Sequence, residues 1–219
     1  MRTEVAYRVA VAGAELRMLV LAGDIEGCVG VDLESGAFVR ASYLRPSRAA
    51  EHLSAFDIVT GEIAPTVHPP DVSRPETVAL TAAPRRTGQL SVRRAERYLA
   101  ALRHPKRLPL LGFPGAAVPY WTLAGDRPSV SLVELGAGPS ARLRDEGYEC
   151  RFTFQGARQH LPLTDSSVVA HLDEVGWPRY SGRDLQRLLG YPARRLVVAL
   201  SPPHRGHCYK VVAAVLPGP

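Results

Sequence analysis

Short apolar runs separated by turn residues dominate the first third of the chain. Residues 16–22 read LRMLVLA, 29–33 VGVDL and 38–43 FVRASY, with GDIEG and ESG among the intervening segments. Runs of this length, rich in Val and Leu and bounded by Gly, Ser and Asp, predict strands joined by tight turns. Residues 56–63, FDIVTGEI, predict another strand. The four prolines in residues 65–75 predict an extended loop, since proline removes a backbone donor and fixes φ.

The period changes at residues 91–103, SVRRAERYLAALR. On a helical wheel Val92, Ala95, Leu99 and Leu102 share an arc about 80° wide, with Ser91 as N-cap. Arg93, Arg94 and Arg97 fall on another arc. Beyond this helix the chain is punctuated by Pro105, Pro109, Pro114 and Pro119.

Strands resume at residues 129–135, SVSLVEL. Two alternating runs, 148–154 and 158–163, flank Gln155-Gly156-Ala157 and predict a hairpin. Thr164 or Asp165 caps a short helix running to Leu172. A second helix is predicted over 181–189, where Ser181-x-x-Asp184 has capping-box spacing and Gly190 is a natural stop. Residues 195–201 and 209–216 predict two closing strands, and no repeat of fixed period is found.

This order of elements predicts a mainly β fold of β-rich α+β class. Two small barrels or sandwiches fit better than a doubly wound sheet. The expected units are residues 1–84 and 128–219, joined by a helical, Pro-rich connector over 85–127.

Of the 219 residues 46% are hydrophobic and 22% charged, which excludes a disordered or fibrous chain. The net charge of +6 is not evenly spread. Between Thr77 and Gly125 lie Arg85, Arg86, Arg93, Arg94, Arg97, Arg103, Lys106 and Arg107, against Glu96 alone. A clustered basic patch attracts a polyanion, although it also describes a solvated helix face. Three cysteines far apart in sequence, with no secretory or membrane segment at the N-terminus, predict a cytoplasmic protein without a disulfide framework.

Catalytic patterns are missing. There is no G-x-S-x-G, no G-x-x-x-x-G-K and no G-x-G-x-x-G opening a helix, so neither an enzyme nor a bound cofactor is expected. His204-Arg205-Gly206-His207-Cys208 holds metal-ligand residue types, but without a C-x-x-C it reads as a turn entering a strand. Tyr43, beside Arg40 and Arg45, and Tyr209, beside Lys210, place aromatic faces next to cations, as base stacking with phosphate neutralisation requires. Both tyrosines also fit the ends of strands.

Several collinear segments resemble the bacterial dual OB-containing domain family. They are Phe38-Val39-Arg40 leading to Leu44-Arg45-Pro46, Phe56-Asp57-Ile58-Val59, and His68 with Pro75-Glu76-Thr77-Val78. Leu110-Leu111-Gly112, Ser131-Leu132-Val133, Arg151-Phe152 to Leu163-Thr164-Asp165 and residues 209–215 complete the set. The resemblance spans residues 16–216 and implies two OB-like barrels in tandem, binding nucleic acid or a nucleotide-like ligand, with no catalytic set. Arg40, Arg45, Arg93, Arg94, Arg97 and Lys210 would then neutralise phosphates, and Tyr43 and Tyr209 would stack on bases, most simply of a single strand.

Three other readings stand beside this one. A nucleotide or small-ligand sensor would hold its pocket between the two β-units, lined by His68, His204 and His207. A scaffold in a bacterial defence or regulatory system would dock an acidic protein partner on the basic connector. A metal hydrolase would centre on His204, His207 and Cys208.

Overall fold

The computed structural model describes residues 11–23, 27–43, 53–65 and 71–218. Strands predominate, and one of the sheets is curled into a half-barrel. The chain divides into two compact units, residues 1–102 with 121–129, and residues 103–120 with 130–219. The stretch expected as a connector is thus shared between them. No helix among the described residues is long and apolar enough to cross a membrane.

The first unit holds β1 (Glu15–Gly23), β2 (Gly27–Asp32), β3 (Phe38–Tyr43), β4 (Asp57–Glu62), β5 (Thr77–Leu80) and β6 (Arg85–Gln89), in the order β5-β3-β2-β1-β4-β6. All neighbours are antiparallel except β3 and β5. β1 pairs with β4 from Glu15 to Leu19 and with β2 from Met18 to Gly23, passing through a bulge between Val20 and Ala22. A bulge adds local twist and lets one strand serve two directions of pairing. At this bend a Cβ on Gly30 would stand 2.0 Å from the Leu19 carbonyl oxygen, so only glycine fits.

The sheet then meets itself. Ile63, just past β4, bridges Leu80 at the end of β5. The Ala64 N–H donates to Ala79 O at 2.8 Å and the Thr81 N–H to Glu62 O at 3.0 Å. Alternate residues Leu16, Met18 and Val20 of β1 point inward, with Val39, Ala41, Val59, Val78 and Leu80 completing the core. The opposite side of these strands is closed too, since Leu19, Leu21, Val29, Val31 and Phe38 are also buried.

β5 and β6 were not expected from sequence. The four residues of β5 are too few to show a period, and β6, RRTGQ, has no apolar side chain; it joins the sheet through backbone pairing to β4. The expected helix is α1 (Val92–Leu99), continued by a 3-10 turn over Ala100–Leu102. Ser91 Oγ accepts the Arg94 N–H, and Ala95, Leu99 and Leu102 are buried as the wheel predicts.

The second unit holds β7 (Ala117–Pro119), β8 (Val130–Glu134), β9 (Ser140–Arg144), β10 (Gly147–Phe154) and β11 (Ala157–Pro162). Next come α2 (Ser166–Val175), β12 (Arg179–Tyr180), α3 (Gly182–Leu189), β13 (Ala193–Leu200) and β14 (His207–Pro217). The sheet orders are β11-β10-β9-β12 and β7-β14-β13-β8. A parallel bridge from Leu163, just past β11, to Val212 of β14 connects them, with the Thr164 N–H donating to Val212 O at 2.9 Å.

Local signals in this half are realised closely. The β10–β11 hairpin turns on Gln155 and Gly156, at φ of 53° and 76°, the mirror-image turn that matches strand twist. Asp165 caps α2 by accepting the Val168 N–H, and its second oxygen accepts the Val215 N–H at 2.9 Å, tying helix to strand. Burial pushes the Asp165 carboxyl up, against these hydrogen bonds. Ser181 and Asp184 form the expected capping box, and Gly190 ends α3 at φ 74°.

Candidate functional site

The residues singled out by sequence meet several environments. Arg45 and His68 lie outside the described residues. Arg40 on β3 is held within the first unit, its Nε 3.4 Å from Glu76 Oε1 and its Nη2 3.3 Å from Ser129 Oγ. The Glu76 carboxylate is wholly buried and also accepts the Ser129 N–H and hydroxyl. Tyr43 belongs to the hydrophobic core of β1 to β5, so its ring offers no open stacking face. Both positions are better explained by folding than by contact with a ligand.

Lys210 is also interior, at 2% exposure. Its Nζ donates to the Phe113 carbonyl at 2.7 Å and lies 4.3 Å from the centre of the Phe113 ring. Burial pushes the ammonium down to about 8. Its neighbour Tyr209 is partly exposed and tilts toward His207, ring centres 6.5 Å apart. His204 and His207 close the β13–β14 hairpin through mutual backbone hydrogen bonds of 2.8 and 3.0 Å, while Cys208 is completely buried. No group of three or more His, Cys, Asp or Glu gathered for a metal occurs among the described residues.

Arg93, Arg94 and Arg97 of α1 are exposed, as expected. Arg97 packs over the Tyr98 ring at 4.6 Å and donates to its hydroxyl. Other members of the basic stretch have carboxylate partners: Arg86 meets buried Asp57 at 2.9 Å, and Arg103 meets Glu134 at 3.4 Å.

A denser cationic surface occurs where the sequence pattern had not been read for it. Tyr148, Cys150, Phe152 and Phe154 of β10 point inward, so Glu149, Arg151 and Thr153 point outward. Register then fixes their neighbours. Arg142 stands opposite Glu149 and opposite Arg179 of β12; His160 stands opposite Arg151, and Arg158 opposite Thr153. Arg144 shares the face two residues along β9. Five arginines and a histidine thus occupy one face across four strands, and Glu149 is the carboxylate among them in the described residues.

The crowding bears on Arg142. The guanidinium groups of Arg144 and Arg179 beside it hold it below the ordinary arginine range. At the centre, Glu149 Oε1 receives Arg151 Nε at 2.6 Å and Arg144 Nη2 at 3.3 Å, with His160 Nδ1 at 3.4 Å. Partial burial pushes the Glu149 carboxyl up, but the hydrogen bonds from Arg151 and Arg144 outweigh this and hold it low.

An exposed tryptophan precedes β12. The Leu143 N–H donates to Pro178 O at 3.0 Å, so the chain carrying Trp177 and Arg179 runs along β9. Trp177 is half exposed and stacks on Tyr180, centroids 5.6 Å apart and planes 23° from parallel, and Tyr180 is buried with Ala141 on the side of the sheet away from the arginines. The available signal was the alternation in YECRFTFQGARQHL, where every second residue of two hairpin-paired strands is polar and mostly basic. Arg142 and Arg179 lie in segments too polar or too short to read as strands, so the full row needed the fold.

No family model matches the chain, and no curated protein matches it.

Proposed function

We propose that this protein is a non-catalytic, cytoplasmic nucleic-acid-binding module of two OB-like barrels, taking a single strand of DNA or RNA across β9, β10 and β11. The observation that carries this reading is the arginine-rich outward face of that meander. Arg142, Arg144, Arg151, Arg158 and Arg179 neutralise phosphates there. Exposed Arg93, Arg94 and Arg97 supply a further set of phosphate contacts.

Connectivity supports the barrel part of the proposal. In the first unit β1 pairs with both β2 and β4, β3 runs parallel to β5, and β4 returns to β5. In the second, β8 and β9 act as one broken first strand, since β8 pairs with β13 and β9 with β10. β11 then bridges β14 in parallel, with α2 and α3 lying between β11 and β13 in sequence. That is the strand logic of an OB fold, whose second and third strands carry oligonucleotides. Here those strands are β10 and β11. Fold likeness alone would not assign the role; the cationic face does. Cys28, Cys150 and Cys208 are buried and form no disulfide with one another, which suits a reducing compartment.

The test is fluorescence anisotropy with labelled single-stranded DNA and RNA oligomers over a range of salt. Binding should weaken with salt by a log–log slope of about −0.7 for each phosphate neutralised. Absence of binding at low salt, or affinity indifferent to salt, overturns the proposal.

A further inference from the structure

Two guanidinium groups and an imidazole converge on a single oxygen in the arginine-rich face. Glu149 Oε1 lies 2.6 Å from Arg151 Nε, 3.3 Å from Arg144 Nη2 and 3.4 Å from His160 Nδ1, and Glu149 Oε2 lies 3.4 Å from Arg144 Nη2. The donors come from three adjacent strands. Register brings them together: Glu149 and Arg151 are two apart on β10, His160 faces Arg151 from β11, and Arg144 reaches back from the end of β9. The cradle is part-exposed, so its contents can exchange with solvent and ligand.

We infer that Glu149 is a built-in phosphate mimic, occupying in the free protein the subsite that one backbone phosphate takes from it in the complex. The inference rests on the proposed function for the identity of its occupant. A carboxylate and a phosphodiester each present two anionic oxygens on one central atom, and guanidinium groups bind both in the same fork geometry. An incoming strand has Arg142, Arg158 and Arg179 immediately available. It gains Arg144 Nη2 and Arg151 Nε, the donors aimed into this subsite, only by displacing Glu149. The side chain therefore sets a threshold: isolated anions compete poorly, whereas a strand held by the flanking arginines at several points displaces it.

Two measurements separate this inference from the functional reading. The first follows the Arg side-chain N–H resonances by NMR during titration with inorganic phosphate. In Glu149→Gln the Arg151 Nε–H and Arg144 signals should move at phosphate concentrations that leave the unmodified protein unchanged. No phosphate response at these arginines in Glu149→Gln overturns the cradle, whatever oligonucleotides do.

The second measures oligonucleotide affinity. Glu149→Gln should bind about twofold to fivefold tighter, the range expected from removing a part-exposed ion pair. The double variant Asp145→Asn, Glu146→Gln, whose charges sit in the β9–β10 turn, should change affinity less although it removes more charge. An equal or larger effect there would make net charge the cause and overturn the inference. If phosphate binds the opened cradle but no oligonucleotide binds either protein, the anion subsite stands and the nucleic-acid reading falls.

Discussion

Arg40 lies 3.4 Å from Glu76, a carboxylate with no solvent exposure, and the pair is completed by Ser129 from a distant part of the sequence. A buried carboxylate is tolerated only when its lone pairs are met, and here Arg40 and the Ser129 N–H and hydroxyl meet them. Arg40→Ala should therefore lower stability by about 1–3 kcal/mol, the loss expected for hydrogen bonds to a buried charge. Urea denaturation measures this. Oligonucleotide affinity should stay within about twofold, since the Arg40 charge is already met by Glu76. A variant with normal stability and weakened binding would return Arg40 to the interface.

The two basic surfaces can be ranked. If the proposed interface is right, Arg142→Glu with Arg158→Glu should weaken oligonucleotide binding at least about tenfold, because each change would remove a phosphate contact and add a repulsive one. Thermal melting should hardly move, since neither guanidinium packs in the core. Arg93→Glu, Arg94→Glu and Arg97→Glu together should weaken binding less than that pair. The reverse order would make α1 the principal contact.

Lys210 gives a pH signature. Its pKa falls from an ordinary 10.5 to about 8 on folding, so between those values the unfolded chain holds more protons than the folded one. Stability should then rise with pH across that window, by up to about 3 kcal/mol. Below pH 8 the cost of burying the ammonium is present in full. Tyrosines and cysteines titrate in the same range, but they are common to Lys210→Met. The difference between the two pH profiles isolates the amine, and a flat difference curve would show that the Phe113 carbonyl and ring compensate for burial completely.

The β13–β14 turn is improvable. Arg205 and Gly206 occupy its two central positions at φ of 49° and 80°, and arginine is a poor residue for the first. Arg205→Asn supplies the residue this turn type favours and should raise stability by about 0.5–1 kcal/mol. Differential scanning calorimetry would detect it. A decrease would mean that the arginine side chain makes a contact worth more than the backbone strain.

Glycines, caps and hydrophobic periods act over a few residues, so the sequence alone determined much of the fold. Ser91, Asp165, Ser181 and Gly190 mark helix ends because their chemistry is local, and Gln155-Gly156 fixes a hairpin because the turn demands positive φ. The charge cluster around α1 was equally visible, being contiguous. Pairing across distance was not. β5 and β9 carry too little apolar pattern to declare themselves and become strands because a neighbour completes their hydrogen bonds. The same long-range pairing buried Tyr43 in the β1–β5 core and Lys210 against Phe113, and set half-buried Arg40 on Glu76. It also laid Arg142, Arg151, Arg158 and Arg179 side by side on four strands. Register, which no single segment encodes, made that row of arginines.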